Sequence, residues 1–539
     1  MIKLKEQDRV SILREFRVQT ADDSIGPDKS PQNLTVRFGQ ILIALLILEL
    51  CGVVILRWPL LHAFNSFAFW DWGGYLVSHY LLQHGQLPVT DFAWQYGLLP
   101  LLIQEMWFRL IAASPAALII LSLPCALVFT IAIGGFTRIA SQTTGRVLLL
   151  LSLTFILPLG ADLPHILEPV LLCLALLCQA CGRRERALAL ATAACFTKPS
   201  MAYPYGLLLL ILIALELQRR GELGISRFAH ALIPAIGTAL GLAGLLALAF
   251  GPSALWRSML PLTGARAYRI LHFGWFGNAW ELLYFRGVKP AYYIGTPVTF
   301  WLCANLYLMT MAIAGGWHIL RGRMRMSRGY EIVFTCAILE AAFIGFFYGP
   351  PSSWTYYAYI PVMGVIATDV CAATSVKLAS GPVLWGLCFL AAVANYGPLK
   401  SSVMAWRGMK RAPATAGLFA SPNEAGEWAR VTSMVKRKHP ALFTWDGAAA
   451  VMFPWLAKPV GAFMVPGIPS EGEIQREAAQ LRAAQTIIIP IIPQIGNPLS
   501  SWPEFQAALG NAALAFKGAD FEVYERAGAL PARREAVRD

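Results

Sequence analysis

Charge is scarce in this chain. Asp, Glu, Lys and Arg make up 14% of its 539 residues and hydrophobic residues 57%, with a mean hydropathy of +0.55. A soluble domain carries about 25% charged residues, so a soluble surface is excluded and the chain reads as a polytopic α-helical membrane protein. Acids are the scarcer sign, 31 against 44 Lys and Arg. In a soluble protein the net charge of +13 would point to nucleic acid. In a membrane protein it follows from the basic loops kept on the cytoplasmic side, so no nucleic-acid partner is expected. The N-terminal residues lack the apolar stretch of a cleaved signal peptide and are read as a cytoplasmic tail, 1–37. No repeat of about 20–50 residues is present, nor a matched pair of broken helices in two halves such as marks many transporters. None of the ten cysteines falls after residue 398. All lie in or beside apolar runs, which reads as small buried hydrophobes rather than disulfides or zinc ligands.

What the chain has in abundance is long apolar runs. Spans are expected at 38–57, 115–137, 147–160, 166–181, 187–198, 201–217, 228–250, 298–320, 331–348, 358–376 and 380–397, eleven in all. The run 97–112 is short and carries Gln104, Glu105 and Arg109, so it is read as a helix lying at the interface. Sidedness supports that choice. With 97–112 interfacial, "RIASQTTGR" (138–146), "GRRER" (182–186), "QRRGELGISR" (218–227) and "RGRMRMSR" (321–328) all fall on the side of the N-terminal tail. The other side then holds a first loop, 58–114, a long loop, 251–297, and everything after 398. The expected organisation is a cytoplasmic tail (1–37), a transmembrane domain (38–397) and an extracytoplasmic domain (398–539) of a multi-pass inner (plasma) membrane protein.

Residues 398–539 contain no run of span length. "ALFTWDG", "TIIIPII" and "FEVYERA" look like short strands, and "NEAGEWARVTSMVKRK" and "EGEIQREAAQLRAA" like helices, which together suggest a small α/β domain. No glycine-rich phosphate loop opens these helices, so no nucleotide site is expected there.

The ionisable residues near the spans share one side. Asp71 and Asp91 lie in the first outer loop. Asp162, His165 and Glu168 lie in "ADLPHILEPV", and Lys198 in "FTKPS". Arg257, Arg266 and Arg269 lie in the 251–297 loop, and Trp354, Tyr356 and Tyr357 in "SSWTYYAYI". Ionisable groups at the edges of spans are costly and tend to be functional. Each also has a bland reading: the aromatics as an interfacial belt, Lys198 as a snorkelling cation, the loop arginines as headgroup contacts, Asp91 as a turn or helix cap. Asp71, between Trp70 and Trp72 and before Gly73 and Gly74, gains little structurally. Glu168, three residues after His165 on one helix face, lies just inside an apolar helix. A carboxylate on such a face can act as general base on a hydroxyl. Arg and Lys can hold a phosphate, aromatic rings can stack on a sugar, and apolar spans can hold a prenyl chain.

"WDWGGYLVSHYLLQHGQLPVTDFAWQYGLLPL" resembles the first outer loop of the GT-C superfamily of membrane glycosyltransferases, the group of the bacterial aminoarabinose transferase and protein O-mannosyltransferase. "HILEPVLLCLALL" is similar to the acid-Pro segment opening their fourth span, and "RRERALALATAACFTKPSMAYP" to the helix that follows. The resemblance covers about 38–525 and implies transfer of a sugar from a polyprenyl-phosphate donor to an acceptor hydroxyl of a glycan, lipid or protein at the outer face. It implies Asp71 as the catalytic base, with Asp91, Glu168 and His165 beside it. Lys198, with Arg257, Arg266 and Arg269, would hold the donor phosphate. Trp70, Tyr75, Tyr96, Trp354, Tyr356 and Tyr357 would line the sugar and acceptor site. Trp72 stands where the family often has a second acid, which leaves a divalent metal (Mg or Mn) open and no cofactor certain. The rival readings are an outer-leaflet polysaccharide polymerase or ligase using a lipid pyrophosphate, and a transporter or flippase.

Overall fold

The computed structural model describes residues 63–68, 71–92, 94, 96–137, 163–198, 201–222, 224–259, 297–322, 326–346, 359–372, 410–411, 415, 417–438, 442–445, 461–463, 471–491 and 502–526, with scattered positions in 41–55 and 386–409. The helices and strands named below all lie within residues 45–539.

The first loop is helical. A short α1 (Phe64–Ala68) precedes α2 (Asp71–Gln83) and α3 (Leu98–Leu110). α2 ends because Gly85, at φ 76, turns the chain left-handed, and its N–H caps Leu82 O at 3.0 Å. α3 tolerates Pro100 because the first turn of a helix leaves its N–H groups unpaired anyway. Thirteen residues of helix reach about 20 Å, short of the roughly 30 Å hydrocarbon core. Two of the three polar residues that made this run ambiguous are bound by α2. Gln104 Nε2 donates to Tyr75 O at 2.8 Å, and Glu105 pairs with His79 Nδ1 at 2.8 Å. Trp107 Nε1 donates to Ala117 O at 2.8 Å, which ties α3 to the next helix.

The bundle follows as α4 (Pro115–Thr137), α5 (Leu163–Ala180), α6 (Arg184–Cys195), α7 (Ala202–Arg219), α8 (Ile225–Phe250), α9 (Pro252–Met259), α10 (Pro297–Leu320), α11 (Arg328–Phe346) and α12 (Tyr359–Ala372). Among the described residues, five helices are long and apolar enough to cross a membrane: α4, α5, α7, α8 and α10. Their outward surfaces are apolar too. Leu248 is 88% exposed, Ile313 73% and Leu240 69%. Water would drive such surfaces together, whereas acyl chains solvate them. The protein is therefore mostly helical and of membrane type.

The expected eleven spans are not all of that kind. α6 has 12 residues, the length of the expected span 187–198, and is too short to stand among the five. It carries Arg184, Glu185 and Arg186 at its start and packs inside the bundle against α5, α7 and α8. The expected span 147–160 lies outside the described residues, and 38–57 and 380–397 are described only at scattered positions. The cysteine reading also needs amending. Cys173 and Cys336 are buried, but Cys51 and Cys181 are exposed, and Cys178 and Cys181 form a Cys-x-x-Cys pair of free thiols where α5 ends.

The bundle has two distinct ends. α5 and α7 start at one end and finish at the other. At the second end the basic loops meet: Arg184 pairs with Glu331 and Glu216, and Gly182 packs on the Arg328 guanidinium.

The C-terminal part is an α/β layer. Strands β3 (Leu442–Trp445), β4 (Gly461–Phe463), β5 (Thr486–Pro490), β6 (Ala513–Lys517) and β7 (Phe521–Glu525) follow a separate two-stranded pair, β1 (Lys410–Arg411) and β2 (Phe419–Ala420). The five-stranded order is β4-β3-β5-β7-β6, parallel among β4, β3 and β5 and antiparallel for the rest. The helices are α13 (Pro422–Lys438), α14 (Glu471–Ala483) and α15 (Pro503–Leu509). α13 opens with a capping box: Glu424 N donates to Ser421 Oγ at 3.2 Å and Ser421 N to Glu424 Oε2 at 2.7 Å. β5 is buried throughout because both faces are covered. Ile487 and Ile489 meet α14 and α15 residues such as Leu481 and Phe505. Ile488 joins a core with Trp428 of α13, Phe521 of β7 and Phe64 of α1. The Phe64 and Trp428 rings lie 5.2 Å apart and Trp428 and Phe521 4.8 Å apart. The first loop and the C-terminal domain thus share one core, so they lie on the same side of the bilayer.

One side chain clasps the β6–β7 turn to α13. The Glu427 carboxylate accepts from the backbone N–H of Ala519, Asp520 and Phe521 at 2.9, 2.9 and 2.7 Å. Gly518 leaves room for it; a Cβ there would sit 1.9 Å from Glu427 Oε1. Glu427→Ala is expected to cost about 2 kcal/mol, since water recovers only part of three charge-assisted bonds. Faster amide exchange confined to 513–526 is the measurement. Asp520 sits in the same turn. Its carboxyl is pushed up from the ordinary range by burial first, then by Glu427 and Glu424. An acid whose pKa rises on folding favours the folded state when protonated, so stability falls as pH rises from about 4 through its folded value. Asp520→Asn should remove that slope and raise the melting temperature at neutral pH, by a modest amount because the group is only partly buried.

Candidate functional site

The first loop, the start of α5 and the turn after α6 converge. The chain just before α3 runs alongside 196–197: Gly97 N donates to Thr197 O at 2.9 Å, and Leu99 N to Phe196 O at 3.0 Å. This approach requires glycine. A Cβ on Gly97 would lie 2.0 Å from Phe196 O and 2.4 Å from its carbonyl carbon.

The pairing places Tyr96 at a junction. Its ring stacks on Tyr75 of α2 at 6.2 Å and meets Trp94 edge-on at 5.9 Å. It meets His165 of α5 edge-on at 5.4 Å, and Lys198 Nζ stands 5.9 Å from its centroid. That is the range of a cation–π contact. One turn along α5 from His165, Glu168 is buried, and its Oε1 accepts from Met201 N at 3.2 Å, which fixes the turn that carries Lys198. Tyr203 OH donates to Met259 O at 2.6 Å, so the start of the 251–297 loop is tied to the same end.

Tyr75, Tyr96, His165, Glu168 and Lys198 are therefore brought together from segments far apart in sequence. Asp71 is the first residue of α2, whose next turn supplies Tyr75. Arg257 is exposed on α9. Asp91 acts as a turn closer: its Oδ2 accepts from Leu87 N at 2.8 Å, and its own N–H donates to Leu87 O at 2.8 Å. Trp70, Asp162, Arg266, Arg269, Trp354, Tyr356 and Tyr357 lie outside the described residues.

The donor set bears on the metal left open above. Trp72 is 5% exposed in the core beside Phe67 and supplies no ligand. Among the described residues no three His, Cys, Asp or Glu side chains are grouped as metal ligands, and no chemical step below is routed through a metal.

Two functional features are absent from the sequence reading. Gly97 carries the backbone contact that assembles the cluster, and nothing local distinguishes it from other glycines before a helix. Glu340, in the apolar run "CAILEAAFIGFF", is fully buried in α11 with Asn305 of α10 as polar neighbour. An acid inside an apolar helix is itself a signal that can be read from sequence. Comparison of this chain with protein-family models, curated proteins and solved structures finds no match.

Proposed function

We propose that this protein is a membrane glycosyltransferase of GT-C type, which moves a sugar from a polyprenyl-phosphate donor to an acceptor hydroxyl at the extracytoplasmic face. One observation carries the reading: Tyr96 gathers His165, Lys198 and Tyr75 at the bundle end opposite the arginine-rich loops. The arginine-rich end is then cytoplasmic, and the aromatic end and the C-terminal domain face out.

In this reading Asp71 takes the proton from the acceptor hydroxyl as its oxygen attacks the anomeric carbon. The bond to the donor phosphate breaks with inversion, and polyprenyl phosphate leaves with the electron pair. Lys198 and the arginines of 251–297 neutralise the phosphate. Tyr75 and Tyr96 are buried in the core of the first loop, where they hold His165 and Lys198 in place, so that little order is lost on binding.

The test compares surface glycans and lipids of a deletion strain and its parent by mass spectrometry. One missing sugar, restored by the wild-type chain, is the expected result; unchanged glycans and lipids overturn the proposal. Complementation with Arg266→Ala separates the mechanisms. A polymerase or ligase relying on loop arginines would lose all activity with it while tolerating loss of Asp71. Glu340 is the observation that favours a transporter, and Glu340→Gln abolishing function while Asp71→Asn did not would favour that alternative.

A further inference from the structure

At the arginine-rich end, α7 and α11, with the start of α6, line a cavity of about 360 Å3. One part of it is polar. Arg184 Nε donates to Glu331 Oε1 at 3.0 Å, and its guanidinium also pairs with Glu216, which Arg220 holds from one turn further along α7. Gln179 braces Glu331, its Nε2 donating to Oε1 at 3.0 Å, and Tyr205 OH braces Gln179 at 2.8 Å. The two lining carboxylates are thus occupied by Arg184 and Arg220. Arg219, also on the lining, is exposed and makes no ion pair among the described residues. Three guanidiniums against two carboxylates leave one positive charge uncompensated.

The other part is apolar. Leu208, Leu212 and Leu215 recur at helical spacing along α7 and face Phe334 and Ile338 of α11. From Leu208 to Arg219 the helix axis runs about 17 Å, the scale of an acyl chain. Leu215 is 43% and Ile338 46% exposed, so the groove opens on the lipid-facing side.

We propose that this cavity binds an anionic glycerophospholipid, with its phosphodiester against Arg219 and Arg220 and one acyl chain along Leu208, Leu212 and Leu215. A phosphodiester carries the single negative charge that the lining leaves unbalanced, whereas a phosphate monoester would bring an excess. The arginines stand at a helix end, where headgroups lie, and an ammonium headgroup would meet carboxylates already engaged by arginine. The site is separate from the proposed donor site, because α5 and α7 begin at the Tyr96 cluster and end here. Occupied, it would pin α7 to α11 at this end of the bundle.

The full-length protein is placed in nanodiscs of equimolar phosphatidylglycerol and phosphatidylcholine and re-extracted in detergent, and the retained lipid is counted by mass spectrometry. Phosphatidylglycerol should be retained over phosphatidylcholine by about tenfold, from the pull of basic residues on an anionic headgroup. The Arg219→Gln, Arg220→Gln double variant should bring the ratio near one. Leu212→Trp, which fills the groove with every arginine in place, should lose the retained lipid. Glycerophosphoglycerol, the phosphodiester headgroup without chains, should not displace it. Equal enrichment in wild type and double variant, or displacement by glycerophosphoglycerol, overturns the proposal. Should the double variant fail to fold, Arg219→Gln alone decides, since its side chain is exposed and outside the ion-pair network: an unchanged ratio overturns the proposal.

Discussion

Gly97→Ala is expected to cost about 3 kcal/mol or more in stability and to abolish activity, although it adds a single methyl group. The Cβ would be driven to 2.0 Å from Phe196 O and 2.9 Å from Thr197 N. Both obstacles are backbone, so no side chain can swing aside to make room. The two segments must separate, and with them go Gly97 N–H to Thr197 O and Leu99 N–H to Phe196 O. Tyr96 then leaves His165 and Lys198. The helix propensity of alanine gives no compensation, because residue 97 stands before the first turn of α3 with extended backbone. Thermal unfolding in detergent reads the stability loss and transfer assays in membranes read the activity. As a control, Gly85→Ala at the end of α2 meets nothing within 4 Å and suffers only from its positive φ, so it should be much milder, about 1 kcal/mol. Equal effects at the two glycines would show that the approach of the two segments is not what matters.

Asp71→Asn is expected to lower sugar transfer by at least about 100-fold with the fold intact, the usual contribution of a positioned general base. The residue opens α2, and the following turn buries Trp72, Tyr75 and Leu76. Those contacts anchor the helix whichever side chain stands at 71. A carboxylate at a helix start is favoured by the macrodipole by only about 0.3–1 kcal/mol, so the melting temperature should move by a few degrees at most. Transfer from a prenyl-phosphate sugar in isolated membranes is the assay. Full activity in the variant would remove Asp71 as the base; lost activity together with a collapsed melting transition would mean that the residue is structural.

Much of the fold is legible in the sequence, for identifiable reasons. The run 115–137 is expected as a span and is one helix over Pro115–Thr137, because an unbroken apolar run in lipid can satisfy its backbone only as a helix. The run 97–112 is expected to be too short and too polar to cross, and Leu98–Leu110 is a 13-residue helix. Strands at "ALFTWDG", "TIIIPII" and "FEVYERA" form as β3, β5 and β7. β4 and β6 escape pattern reading. β6 is exposed along most of its length and so carries no apolar alternation. Over 187–198 the pattern gives a helix, and α6 is one; that it packs between α5, α7 and α8 shows only in the structure.

Within the candidate site, residue chemistry alone picks out His165, Glu168 and Lys198, since ionisable groups at the ends of apolar helices stand out in any single sequence. For Asp91 the cap and the carboxylate roles stay balanced until the Leu87–Asp91 turn is seen. Composition and periodicity by themselves determined that this protein is of membrane type, mostly helical, and that its tail forms an α/β layer, because those properties sum over many residues and tolerate local error. Tertiary structure alone decided that Gly97 touches Phe196, that Glu427 closes the β6–β7 turn, and that Arg184 ties α6 to α7 and α11. Each of these is a contact between groups distant in the chain, and such a contact depends on where two backbones come to lie once the helices have packed.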